Sequence, residues 1–429
     1  MAAGPLVNDS RSTIRTLTSD GRLLFATRFV RLFAYGSLSV VLVFYLAALG
    51  LSESQIGLLL TLTLVGDTMV SIFLTTRADR IGRRRMLAAG SILMVAAGLT
   101  FASTHNVWLL LVAGTIGVIS PSGNEVGPFL SIEQSVLSHV VADRVRTRVF
   151  AWYTLAGSVA TAFGALTAGS ITRLFEHAAL PQIDAYRTIV VVYAVLGGLL
   201  WLCFSRLSSA AEMTTPGERQ PPSTFASLSG LDRSRDLVVK LSALFALDSF
   251  GGGFVVQSFA AYWFYLRFGV RPGTLGAIFF WANIFAGVSA LVASRVAARI
   301  GLIKTMVVTH LPSNILLILV PLMPTLPLAV GVLLVRFSIS QMDVPTRQSY
   351  IMAVVAPDER SAAAGIAGVA RTIGASISPL FVGMMFARPS LINLPFFIAG
   401  TLKIGYDLLL YREFVSVRPP EELGREVGS

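Results

Sequence analysis

Charged side chains at Arg28, Arg31, Glu125, Glu133, Asp248, Arg336, Asp343 and Arg347 stand inside long apolar runs of the chain. A charge in the middle of a bilayer costs several kcal/mol unless it is paired or hydrated. Each is therefore a candidate to bind a solute or ion, or to tie helices together. Arg336, Asp343 and Arg347 follow i, i+7, i+11 spacing, which puts them on one face of an uninterrupted helix. Asp343 and Arg347, one turn apart, can neutralise each other, and Pro345 between them loosens the backbone. Two readings stay open there. One is an anion or polar-solute contact at Arg347 or Arg336 with Asp343 as a switchable counter-ion; the other is a self-contained pair that shapes the helix.

Glu125 sits in Ser120-Pro121-Ser122-Gly123-Asn124-Glu125-Val126-Gly127-Pro128, whose prolines and glycines should break a helix and free backbone groups at mid-depth. A carboxyl group removed from water takes up a proton more readily, so Glu125 is a candidate proton carrier, or else a partner for the freed amides. Asp248, close to Gly251, Gly252 and Gly253, is a second candidate with the same alternative, and Asp343 a third. Glu133 and Arg31 read as a structural ion pair. Lys403 and Asp407, one turn apart, are expected to pair with each other at the rim of a bundle. His139 and His310 lie near the ends of apolar runs without carboxylate or cysteine partners at ligand spacing, so no metal site is expected. Cys203 is the single cysteine, which removes a disulfide framework, and no nucleotide-binding loop or cofactor motif is present.

The elements that must carry these residues are membrane helices. The chain is 54% hydrophobic and only 13% charged, roughly half the charged share of a soluble protein. Its formal net charge of +11 lies in short turns between apolar runs, which fits membrane topology better than nucleic-acid binding. About twelve runs reach spanning length, near 24–49, 55–76, 86–103, 107–141, 148–172, 187–206, 238–266, 273–294, 304–322, 327–355, 361–386 and 391–410. Lipid leaves no partner for an unpaired backbone group, so these runs are helices. Residues 207–236 are polar and carry Pro216, Pro221 and Pro222; they read as a cytoplasmic linker between halves at 24–206 and 237–411. The Lys/Arg bias puts segments 1–23 and 412–429 in the cytoplasm as well. The first residues are polar and the first apolar run is of full length, so no cleavable leader is expected.

One turn is more specific. Thr75-Thr76-Arg77-Ala78-Asp79-Arg80-Ile81-Gly82-Arg83-Arg84-Arg85 joins two spans as a tight cationic hairpin. Its Asp-Arg-Ile-Gly-Arg-Arg core resembles the loop 2–3 signature of the major facilitator superfamily of secondary transporters, with Thr75 in place of the leading glycine. The halves also repeat in order. Leu32 to Ser37 matches Leu244 to Ser249, Arg80-Ile81-Gly82 matches Arg299-Ile300-Gly301, and Glu133-Gln134-Ser135 matches Arg347-Gln348-Ser349. The resemblance implies an all-α polytopic fold of twelve transmembrane helices in two six-helix halves related by a parallel pseudo-two-fold axis. It implies a central cavity lined by spans 1, 4, 7 and 10, which hold the charges above. It further implies that Asp79 sits at the N-terminus of span 11 near Ser361, and that Arg80, Arg83 and Arg84 bind neighbouring helix ends or anionic lipid heads, with Gly82 in the turn. Spans 2 and 11 would face each other, so Asp67 and Arg371 are expected to form an ion pair between halves, or each to be satisfied in its own half. Span 5 has no Gly-Pro pair and span 4 opens without an arginine, which leaves the subfamily unassigned.

The function expected is a carrier, monomeric and not an enzyme, in the plasma or inner membrane. It would move a small organic solute by alternating access with protons or another coupling ion. A transporter-like receptor that binds without moving its ligand is the alternative.

Overall fold

Apolar runs bounded by caps set the helices. In the computed structural model, which describes residues 18–124, 128–140, 143–208, 212, 231, 233–356 and 359–417, the described residues form helices and no strands. The first six spans are α1 (Ser19–Ala48), α2 (Glu53–Ile81), α3 (Arg83–Ser103), the pair α4 (Val107–Ile116) and α5 (Phe129–Val140), α6 (Asp143–His177) and α7 (Gln182–Ser205). The next six are the pair α8 (Arg235–Gly253) and α9 (Gln257–Phe268), α10 (Pro272–Ile300), α11 (Leu302–Leu319), the pair α12 (Leu326–Phe337) and α13 (Asp343–Val354), α14 (Arg360–Phe386) and α15 (Leu394–Phe414). Ten helical stretches are long and apolar enough to cross a membrane, and Val107–Ile116 and Leu326–Phe337 are shorter apolar helices. The chain is a multi-pass membrane protein.

Three spans are broken, each for a readable reason. The interruption between α4 and α5 falls on the proline- and glycine-rich segment, with Val118 and Gly123 at positive φ. The one between α8 and α9 follows three consecutive glycines. The break in the tenth span lies at 338–342, ahead of Pro345, and corrects the expectation of a single helical face: Arg336 and Asp343 stand on different helices. Pro345 sits in the first turn of α13, and with no N–H to offer and a ring that crowds the carbonyl of Gln341 it keeps the helix from running back through that break. Asp343 opens that helix, where an acid is favoured by the amide dipoles.

Each half packs by one scheme. α1 lies on α6, α3 on α7, α1 on α7 and α2 on α4; six spans later α8 lies on α14, α11 on α15, α8 on α15 and α10 on α12. Small residues allow equivalent close approaches. A methyl group at Gly164 would meet the Phe33 carbonyl oxygen at 2.1 Å, and one at Gly374 would meet that of Ala246 at 2.3 Å. The one-residue turns repeat too. Gly82 (φ 112°) joins α2 to α3 and Gly301 (φ 87°) joins α10 to α11, a backbone region that favours glycine.

The halves meet along α2–α14, α6–α10 and α1–α9. The first two seams carry glycine on glycine, Gly57 against Gly383 and Gly169 against Gly276. These glycines lie near the end of the bundle opposite the basic turn. Tyr262 donates to Glu53 (3.4 Å) and Arg271 pairs with Glu176 at that same end.

At the basic end carboxylates hold the backbone of the connections. Glu212 accepts the N–H groups of Arg83 (2.7 Å) and Arg84 (3.0 Å), Glu359 those of Arg233 and Ser234 (2.9 Å each), and Asp20 that of Ser208 (3.2 Å). The larger apolar core spans both halves. A second cluster, including Phe245, Met306, Tyr350 and Tyr406, belongs to the second half.

Candidate functional site

Buried against that second cluster is a network of charges drawn from α8, α11, α13 and α15. Asp248 of α8 is its hub: one carboxylate oxygen accepts from Lys403 Nζ (2.6 Å) and the other from Arg347 Nη1 (3.0 Å). Arg347 also reaches Asp343 at 3.5 Å, so the local pair expected from the i, i+4 spacing is present. His310 Nε2 lies 3.7 Å from Asp248, and its Nδ1 lies 2.8 Å from Asp407. Asn314 donates to the second oxygen of Asp407 (2.9 Å), and the Tyr406 ring meets the His310 ring edge-on with centroids 5.8 Å apart. All these charged groups are buried.

Two sequence expectations are corrected here. Lys403 and Asp407 do not pair with each other at a rim; Lys403 turns to α8 and Asp407 to α11, both inside the half. His310 does have carboxylate partners, supplied by helices distant in sequence. Asp248, His310 and Asp343 bring donor atoms within 4.8 Å of one another, a grouping that could suggest a metal. Both Asp248 oxygens already receive a cationic nitrogen, so a divalent ion would have to displace Lys403 or Arg347 to bind there.

The first half holds a simpler arrangement. Arg31 meets Glu133 through two parallel hydrogen bonds of 2.7 Å, Thr27 donates to the same carboxylate (2.9 Å), and Tyr153 adds another bond. The Arg28 guanidinium lies 4.3 Å from the centre of the Tyr153 ring, and a methyl group at Gly157 would crowd its Nε at 2.8 Å. Glu133 is thus saturated with donors, as a structural ion pair should be. Glu133 and Arg347 occupy matching places in the internal repeat, so the polarity is reversed. The first half puts the acid on its fourth span and the base on its first; the second half does the opposite.

Arg336 and Arg371 flank the second network, and both feel the charges of Asp248 and Asp343. α2 and α14 face each other as expected. Among the described residues, however, no ion pair joins Asp67 to Arg371. Between the halves, Gln257 donates to Ser39 Oγ (2.8 Å), and Ser258 Oγ donates to the carbonyls of Ser39 and Pro121.

Glu125 lies outside the described residues, as do the side chains of Asp79 and Arg80. Gly82, Arg83 and Arg84 form the turn whose backbone holds Glu212 of the linker, while the Arg84 side chain donates to the Leu207 carbonyl (3.4 Å) just past the end of α7. Sequence reasoning set His310 aside for want of a partner and missed Asn314 and Tyr406 altogether. His310 and Asn314 at i, i+4 on an apolar helix were the available signal.

Two six-helix halves, glycine seams and charges buried at broken helices define a membrane carrier built on an internal repeat. The family model of the Major Facilitator Superfamily matches residues 24–379, and the chain belongs to that superfamily. It is 31% identical over 424 residues to the uncharacterized membrane protein YJR124C of Saccharomyces cerevisiae, covering 93% of this chain and 94% of that one. In fold it resembles a mutant of the nucleoside transporter NupG (TM-score 0.73, 12% identity, covering 92% of this chain and 100% of that one). It also resembles a D-xylose-proton symporter (TM-score 0.69, 15% identity, covering 91% and 97%).

Proposed function

We propose that this chain is a proton-coupled carrier of a small organic solute, working by alternating access in the plasma or inner membrane with its basic end and both termini in the cytoplasm. The observation that carries the reading is Asp248, a buried carboxylate shared between Lys403 and Arg347 and close to His310. Protonating such a hub loosens its hold on two cations on two other helices. A change of one proton can thereby alter how α8, α13 and α15 pack. His310, backed by Asp407, is placed to pass that proton along. The symporter in its fold neighbourhood, named for a proton, supports coupling of this kind.

The polar ties and glycine seams at the outer end fit a bundle closed outside, the state from which solute would exchange with the cytoplasm. In the opposite state, Asp79 would latch the basic end against α14 near Ser361, and Asp67 would sit at a boundary that slides. Arg80, Arg83 and Arg84 would meet anionic lipid heads.

The test uses protein reconstituted in proteoliposomes that enclose a pH-sensitive dye, challenged with solutes that stabilise the purified protein. Solute-dependent proton movement and accumulation against a gradient are expected. His310→Gln should flatten the pH profile of uptake while leaving solute counterflow in place. Binding without any accumulation or proton movement would establish a receptor and defeat the carrier reading.

A further inference from the structure

The second network holds more positive charge than its own carboxylates answer. Arg336, Arg347, Arg371 and Lys403 converge on Asp248 and Asp343, while Asp407 is engaged by His310 and Asn314. Asp248 is already shared by Lys403 and Arg347, and Asp343 faces Arg347. Arg336 and Arg371 therefore make no ion pair among the described residues, and the buried Nε–H of each finds no acceptor. The foremost electrostatic neighbour of Arg371 is another cation, Arg347. A buried donor on a charged group is costly when unmet, and guanidinium groups crowded together in low dielectric repel unless an anion lies among them.

Their positions explain the exposure of this charge to a ligand. Arg336 ends the half-helix α12 at the break of the tenth span, and Arg371 stands within α14. Both side chains are half-buried, with accessible edges, unlike the enclosed Arg347. The first half offers no such pair at its equivalent break, because Ser122 stands at the place of Arg336 in the repeat and Gly157 lies near the place of Arg371.

We infer that Arg336 and Arg371 form the receptor for an anionic group, and that the solute is a small organic anion carrying a carboxylate or phosphate ester. This rests on the carrier reading for its transport meaning but not for binding. Each guanidinium presents a planar fork matched to two oxygens of such a group, which a lysine cannot copy. The bound anion would neutralise the excess charge and accept from the two orphaned donors.

The experiment is thermal stabilisation of the purified full chain in detergent. The probes are benzoate, citrate and glycerol phosphate, with glucose and choline as neutral and cationic controls. At least one anion is expected to raise the melting temperature in a saturable way, with carboxylates and phosphate esters ranked by the same titrations. Arg336→Gln and Arg371→Gln should each weaken its apparent affinity about tenfold or more, as loss of a charge-assisted fork does. Arg336→Lys and Arg371→Lys keep the charge and the fold and should bind at intermediate strength, which separates receptor loss from misfolding. Anion stabilisation that is unchanged in all four variants, or stabilisation by choline or glucose alone, overturns the inference. Binding needs no gradient. A chain that binds anions through these arginines yet accumulates nothing sustains this inference and sinks the carrier reading; one that accumulates a neutral solute and ignores anions does the reverse.

Discussion

Asp248 makes hydrogen bonds to two cations on two different helices, and neither cation has a second fully satisfying partner. Removing its charge should therefore do more than delete two contacts, because it strands Lys403 and Arg347 in a dry interior. Asp248→Asn is expected to cost about 3–5 kcal/mol, the usual penalty for breaking one side of a buried pair. Lys403→Met in the same background should recover part of that loss. A thermal or chaotrope melt of both single mutants and the double mutant reads the coupling, and strictly additive losses would argue that the two side chains do not interact. What was visible at this scale in sequence was whatever lay within one helical turn. The Asp343–Arg347 contact follows from spacing alone, and Arg31 with Glu133 follows from depth in a shared half. His310 was opaque because its carboxylates come from α8 and α15, brought close only by packing. Lys403 and Asp407 misled because a turn of separation allows a contact that stronger partners elsewhere outcompete.

Among the elements, the glycine-on-glycine crossings decide how near two helices can lie. A side chain at Gly57 would collide with the Pro379 carbonyl oxygen at 2.6 Å and with Gly383 Cα at 2.9 Å. Gly57→Leu is expected to prise α2 from α14 at the outer end and tilt the carrier toward its outward-open state. In a Cys203→Ser background, a Gln257→Cys probe beneath the seal should then react several-fold faster with an impermeant thiol reagent added outside. Unaltered labelling would show that this seam does not govern closure. Helix breaks follow the same logic of legibility. Proline and glycine announced the interruption in the fourth span, and three glycines precede the one in the seventh. The one at Ser338 to Met342 holds neither residue itself, but Pro345 marks it from just beyond, because its missing N–H and its ring act on the carbonyl of Gln341.

For the whole molecule, hydropathy and the ordered repeats were enough to read a twelve-span superfamily fold, because lipid permits so few ways to satisfy a backbone. They were not enough to choose a conformation, since both end states bury largely the same faces of the same helices. The Asp67–Arg371 expectation shows the difference. The two helices do face each other, yet among the described residues no ion pair joins Asp67 to Arg371 in this state. Losses from Asp67→Arg and Arg371→Asp are therefore expected to add in the double mutant, without mutual rescue, when uptake is measured. Recovery of activity in the swap would place the pair in the other end state.

The bare-backbone seams also bear on what sets the pace and balance of rocking. Glycine has no rotamers to freeze, so the Gly57–Gly383 and Gly169–Gly276 crossings themselves exchange no side-chain entropy as α2–α14 and α6–α10 open or close. The peripheral ties add to the balance between the end states, and of these Arg271–Glu176 is solvent-exposed on both partners. An exposed pair is weak and is screened by salt. The ionic strength of the outer medium thus becomes a handle on which way the molecule faces, one that acts far from the solute and without touching it.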